Sequence, residues 1–144
     1  MSCRRTFLIE TAVSTAALGL APGPAHASPE HPDPKWYAAA VEMLRLAESW
    51  GDQSYGAVLV VNGAVVGEGP SRVVKDKNPD AHAERIAIIE AQRRLGRLSL
   101  AGSVLYSTSR PCSLCEAAAF RAGVSRMYFG QSLQDAGPPV VRTQ

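Results

Sequence analysis

The run Gly56-Ala57-Val58-Leu59-Val60-Val61 has no polar interruption and is followed at once by Asn62-Gly63. A strand that is apolar at every position is suited to burial on both faces. Asn-Gly between apolar runs is a strong two-residue hairpin signal, because both turn residues take positive φ. The sequence therefore predicts a hairpin, Gly56–Val61 followed by Ala64–Gly67, with its first strand inside a layered domain.

The flanking patterns supply the layers. Trp36 to Trp50 places Tyr37, Val41, Leu44 and Ala47 at helical steps and stops at Gly51-Asp52, which reads as an amphipathic helix. A loop spans Gly69 to Asn78, and its charges read as a solvated loop or as a rim that meets a ligand. A second helix is expected from an Asp80 N-cap through Ile86, Ala87 and Ile89 to Leu95, ending at Gly96. Arg93, Arg94 and Arg97 near its end complement the helix dipole. Ser103–Ser107 reads as a third strand, Pro111 to Gly123 as a third helix with Pro at its start, and Val124–Gly130 as a fourth strand. In that strand Met127 and Phe129 alternate with Arg126 and Tyr128. The tail from Gln131 is weakly patterned. The order is helix, hairpin, helix, strand, helix, strand. Its two β-α-β crossovers predict parallel neighbours and helices packed on the sheet.

Two segments in this frame carry chemistry. Asp80-Ala81-His82-Ala83-Glu84 opens the second helix and Pro111-Cys112-Ser113-Leu114-Cys115 opens the third. Together they offer one imidazole, two thiols and a further carboxylate. That is the ligand set of a catalytic zinc site whose fourth position is left to water. Helix N-termini lower thiol pKa, which favours the thiolates zinc requires. Two thiolates cancel the charge of the ion and neutral His82 adds none. Glu84 is then the nearest base for the water proton and could later pass it to a substrate nitrogen. His82, Cys112 and Cys115 are therefore read as zinc ligands and Glu84 as the proton carrier. Taken singly, each motif is weaker: C-x-x-C also serves as a redox pair or half of a structural zinc site. A structural site wants a fourth protein ligand. The remaining soft donors, Cys3, His26 and His31, all lie in the N-terminal segment, which favours the open site.

That segment reads as a targeting sequence. Arg4-Arg5 precedes a mildly apolar stretch from Phe7 to Leu20, and Ala25-His26-Ala27 is a small-x-small cleavage site. The Arg-Arg-Thr-Phe-Leu run resembles a bacterial twin-arginine signal. The expected organisation is a signal peptide over residues 1–27, a Pro-rich linker over 28–35 and one domain over 36–144. The expected location is periplasmic or exported, with no membrane span in the mature form. An oxidising compartment would join Cys112 to Cys115, so zinc is expected to be loaded before export. A hydrophobic content of 46% suffices for a packed core, and a net charge of +2 gives no basic stripe for nucleic acid.

The stretch from Trp36 to Gly130 resembles the cytidine/deoxycytidylate-type zinc deaminase superfamily, whose signature is H-x-E followed by P-C-x-x-C. The His-Ala-Glu form, Gly56-Ala57-Val58-Leu59-Val60 and Leu105-Tyr106-Ser107-Thr108-Ser109-Arg110-Pro111-Cys112 look most like the branch of tRNA-adenosine, guanine and cytosine deaminases. The resemblance implies an α/β, three-layer α-β-α fold with a mixed sheet, an initial hairpin and then parallel strands. It also implies Zn²⁺, hydrolytic deamination of an amino-purine or amino-pyrimidine base or nucleoside, and a homodimer. It places substrate contacts at Ser71, Ala83, Ala57 and Pro111. Three departures stand out. Ser71 replaces a common Asn, Arg110 replaces a common Glu before the Pro-Cys pair, and no convincing final helix follows the fourth strand. Two other readings stay open: a zinc-stabilised binding module without catalysis, and a tRNA adenosine deaminase, which export and near-neutral charge disfavour.

Overall fold

The computed structural model describes residues 31–142. The expected signal peptide and the first residues of the expected linker lie outside the described residues. Five strands and three helices follow in order: α1 Pro34–Ser49, β1 Gly56–Val61, β2 Ala64–Pro70, α2 Ala83–Leu95, β3 Val104–Ser107, α3 Ser113–Ala122, β4 Arg126–Phe129 and β5 Gln134–Gly137. Among the described residues no helix is long and apolar enough to cross a membrane.

The strands form one mixed sheet in the order β2-β1-β3-β4-β5. β1 runs antiparallel to both β2 and β3, β3 is parallel to β4, and β5 is antiparallel to β4. The expectation of parallel neighbours at both crossovers is corrected here. The β2-α2-β3 crossover does yield two strands of the same direction, but β1 lies between them. The tight hairpin at Asn62 (φ 50°) and Gly63 (φ 72°) folds β2 to the edge. The crossover must then pass over β1 before it finds an open neighbour. Only the α3 crossover, β3 to β4, joins adjacent parallel strands.

Helices cover both faces, so the three-layer architecture is realised. Ala57 and Leu59 of β1, Leu105 of β3 and Met127 of β4 pack with Ala83, Ala87, Ile88 and Ala91 of α2 and Ala119 of α3. Val58, Val60, Val104, Tyr106 and Tyr128 face the other way, against Ala40 and Met43 of α1. The continuous apolar run of β1 follows from this double cover. Tyr128 is 4% exposed and stacks on Tyr106 at 5.4 Å between ring centroids. Tyr128 thus belongs to the apolar cluster that α1 covers.

Helix boundaries differ from expectation for physical reasons. α1 begins at Pro34, inside the expected linker, because Pro suits the first turn and the Asp33 side chain caps Lys35 N at 3.0 Å. α2 is capped at His82 rather than Asp80. Asp80 sits in a turn, where its own N–H donates to the Asn78 side chain. α3 is capped at Cys112, and Pro111 precedes the cap. Both helices end at glycines in the left-handed region, Gly96 (φ 63°) and Gly123 (φ 79°). The tail carries β5, a strand the weak pattern after Gln131 does not announce; Asp135 within it pairs with Arg126 of β4.

Candidate metal centre

β2 and β3 run in the same direction, so the helices that follow them start on the same side of the sheet. This brings His82 and Cys112, thirty residues apart, to one point. Each is the N-cap of its helix, with extended backbone (ψ 152° and 167°), and each aims its side chain off the helix end. Cys112 Sγ also accepts from Cys115 N at 3.4 Å. Cys115 follows one turn into α3 and is fully buried. The approach of α2 depends on β2. A Cβ at Gly69 would stand 1.9 Å from the carbonyl oxygen of Ala83, so only glycine lets the first turn of α2 lie flat on the strand.

His82 Nδ1 lies 3.7 Å from Cys112 Sγ and 3.4 Å from Cys115 Sγ. All three donor atoms fall within 4.8 Å of one another. A tetrahedral zinc with Zn–S of about 2.3 Å and Zn–N of about 2.0 Å sets S···N edges at roughly 3.6 Å. The observed distances bracket that value. Burial, followed by the nearby Glu84 carboxylate, pushes the Cys115 thiol well above its usual range. A thiolate buried there calls for a cation beside it. Donor type, spacing and the need for positive charge all fit Zn²⁺. Among the described residues no fourth His, Cys, Asp or Glu joins the cluster.

Glu84 is in the first turn of α2 and 5% exposed. It is outside the cluster of donors. Its Oε1 accepts from the Ser107 hydroxyl at 2.7 Å, and Ser107 ends β3 with 1% exposure. Sequence reasoning missed Ser107; the signal is its place as the last residue of a buried strand, next to the Pro-Cys segment.

A cavity of about 430 Å³ opens over the cluster, lined by His82, Ala83, Glu84 and Cys112 and by Gln53, Tyr55, Ser109 and Arg110. Of the four expected substrate contacts, Ala83 lines it. Ala57 is buried in the core between β1 and α2, and Pro111 is buried ahead of the α3 cap. Ser71 is fully buried and donates to Asp52 Oδ1 at 2.9 Å. Neither Ser71, Ala57 nor Pro111 lines the cavity. The wall residues Gln53 and Tyr55 sit on a loop that Asp52 ties down. The Asp52 carboxylate accepts from Gln53 N, Ser71 Oγ, Val74 N and Lys75 N at 2.8 to 3.0 Å. Ser71 N in turn donates to Tyr55 O at 3.1 Å.

A five-stranded mixed sheet with His-Cys-Cys donors at two helix starts and a separate buried carboxylate defines the class of zinc-dependent deaminases. Residues 31–131 match the cytidine and deoxycytidylate deaminase zinc-binding region, and the chain belongs to this family. It is 34% identical over 103 residues to a tRNA-specific adenosine deaminase of Buchnera aphidicola, covering 72% of this chain and 68% of that one. It is 35% identical over 82 residues to guanine deaminase of Bacillus subtilis, covering 57% and 53%. The chain spans 58% to 68% of the length of the tRNA-specific adenosine deaminases it matches first. Among solved structures, one from work on A-to-I editing by tRNA:A34 deaminases superposes with a TM-score of 0.66 at 34% identity, covering 68% and 71%. The guanine deaminase of Bacillus subtilis also superposes at 0.66, with 30% identity and coverage of 69% and 64%.

Proposed function

We propose that this chain hydrolyses the exocyclic amino group of a purine or pyrimidine, as free base or nucleoside, and releases ammonia. The observation that carries the reading is the His82, Cys112 and Cys115 cluster, whose His82 and Cys112 share one cavity with Glu84, a carboxylate that Ser107 fixes. Zinc held by those three side chains supplies a Lewis acid that makes water a nucleophile near neutral pH. Glu84 accepts the proton that this water gives up and delivers it to the ring nitrogen next to the carbon under attack. A C–O bond forms at that carbon; Glu84 then takes the remaining proton from the new hydroxyl and passes it to the amino nitrogen as the C–N bond breaks. Water and the amino compound thus become a carbonyl compound and ammonia. Ser107 holds one oxygen of Glu84, so the carboxylate works from one orientation. Backbone N–H groups at the α2 and α3 starts favour the polar centre that develops.

The test is ammonia release from a panel of amino-purines, amino-pyrimidines and their nucleosides by zinc-loaded protein. Stoichiometric zinc with no ammonia from any member would overturn the reading and leave a zinc-stabilised binding module. The relatives named tRNA-specific adenosine deaminase favour a second reading, action on tRNA. Inosine formation in tRNA with no turnover of small substrates selects it.

Two further parts of the proposal rest on sequence and family. Export of the mature domain, folded and zinc-loaded, is supported by Arg4-Arg5 and Ala25-His26-Ala27. Cell fractionation and the N-terminus of the processed protein check it; active protein holding a Cys112–Cys115 disulfide and no zinc would sink it. A homodimer is supported by exposed apolar side chains around α2 and α3, among them Ile89 and Phe120, and sedimentation checks it.

A further inference from the structure

We infer that Asp52 is a positioning residue for substrate binding: its carboxylate clamps the cavity wall that carries Gln53 and Tyr55 to the loop that leads into His82. The inference rests on the deaminase reading of the same cavity and adds the residue that sets the cavity's width.

The two oxygens of Asp52 face different segments. Oδ1 accepts from Gln53 N at 2.8 Å and from Ser71 Oγ at 2.9 Å, at the wall and just past the end of β2. Oδ2 accepts from Lys75 N at 2.8 Å and from Val74 N at 3.0 Å, in the loop between β2 and α2. Asp52 is 9% exposed, so water competes little for these bonds. Hydrogen bonds to an ionised carboxylate are about twice as strong as neutral ones.

The loop is a firm anchor. Arg72 N donates to Ala81 O at 3.0 Å and closes its neck directly before His82. Inside the neck Asp76 N donates to Arg72 O at 2.9 Å, and Arg72 Nε pairs with the Asp76 carboxylate at 2.8 Å. Lys75 Nζ rests over the Trp50 ring, 3.6 Å from its centroid. The wall has no such frame. Gln53 and Tyr55 are exposed, and the hydrogen bonds that hold them run through the backbone. Gln53 N donates to Asp52, Tyr55 N to Gln53 O at 2.8 Å, and Ser71 N to Tyr55 O at 3.1 Å. Two of these three pass through Asp52 or through Ser71, whose hydroxyl Asp52 holds.

His82 is fixed without the clamp. Its carbonyl accepts from Ile86 N at 3.0 Å, and the first turn of α2 is seated on Gly69. Loss of the clamp therefore frees the wall and leaves the zinc donors and Glu84 in place. A displaced wall weakens ground-state and transition-state binding alike, which raises KM and spares kcat.

The test is steady-state ammonia release from adenine, guanine, cytosine and their nucleosides by zinc-loaded full-length protein, at a temperature where every variant is folded. Asp52→Asn replaces one oxygen with a group that cannot accept and so cuts half of the clamp. It should raise KM for the best substrate by about fivefold or more and leave kcat per bound zinc within about twofold. Ser71→Ala removes one bond of the four and should raise KM less; Asp52→Glu should recover part of the loss. Leu105→Ala, destabilised by core packing instead, should leave KM within about twofold. Amide exchange on the same proteins should quicken in Asp52→Asn at residues 53–55 and 74–75 and not through α2. An unchanged KM in Asp52→Asn, an equal KM rise in Leu105→Ala, or faster exchange spread over the whole sheet would each overturn the inference. Those results leave the deaminase reading intact if ammonia is released. Faster exchange confined to the wall and its loop, with no ammonia from any substrate, would support the clamp and remove the deaminase reading.

Discussion

The hydroxyl of Ser107 donates to Glu84 Oε1 at 2.7 Å, joining the end of β3 to the first turn of α2 in a buried setting. A buried hydrogen bond to a charged group contributes about 1.5–3 kcal/mol. Ser107→Ala is expected to keep zinc and fold while lowering kcat by roughly tenfold or more, with KM little changed. Steady-state kinetics and metal analysis on the same preparation check this. A fall in zinc content with no kinetic effect per bound zinc would count against the positioning role of Ser107.

Glu84 and the donors separate by metal content. Glu84→Gln keeps the shape and the Ser107 contact but cannot carry a proton. It should bind one zinc and lose turnover by about a hundredfold or more. Cys112→Ala and His82→Ala should lose both zinc and activity. Stripping the wild type with a chelator should lower Tm, because an ion bound to the folded state alone stabilises it by mass action. Undiminished turnover in Glu84→Gln would remove the mechanism.

Gly69→Ala places a methyl group where the Ala83 carbonyl now lies, at 1.9 Å. Either β2 or the first turn of α2 must move. The expected cost is about 3 kcal/mol or more, with weakened zinc affinity because His82 caps that turn. Leu105→Ala removes core packing elsewhere and should cost about 2–5 kcal/mol. It should leave zinc affinity within a few-fold under conditions where both variants are folded. Competition with a chromogenic chelator distinguishes the two.

Asp52 links acidity to stability. Burial alone raises its pKa, but hydrogen bonds from Lys75, Gln53, Ser71 and Val74 outweigh burial and leave it lowered from 3.8. A depressed carboxylate stabilises the fold above its unfolded pKa, and that stabilisation fades as pH falls through the folded value. Stability should therefore decline as pH drops below about 4. Asp52→Asn should be less stable at neutral pH by about 1–3 kcal/mol, since it loses part of the acceptor set. It should also show a shallower acid dependence. Thermal melts from pH 7 to pH 3 measure both.

The sequence reveals the ligands and the layers for the same reason: both depend on local rules. A run of six apolar residues, an Asn-Gly turn and two helix-start motifs are each legible within a few positions. Strand order is not local. Nothing in β2 or β3 states that β1 will stand between them, and β5 is set by its pairing with the β4 edge, where Asp135 meets Arg126. The fate of Ser71 was hidden for a related reason. Its side chain turns to Asp52, nineteen residues earlier, rather than to the cavity. The α3 cap falls at Cys112 because its sulfur can cap, a role that Ser, Thr, Asp and Asn usually fill, whereas His82 caps α2 with no side-chain hydrogen bond and Asp80 is held in the preceding turn by Asn78.

The placement of β1 between β2 and β3 has a bearing on biosynthesis. A nascent chain that has emerged only through α2 holds His82 but neither thiol of the donor cluster, and its innermost strand still lacks one of its two neighbours. Both defects are repaired by the same short stretch, from Val104 to Cys115, as it leaves the ribosome. Metal capture and closure of the sheet are thereby coupled to one late event in translation.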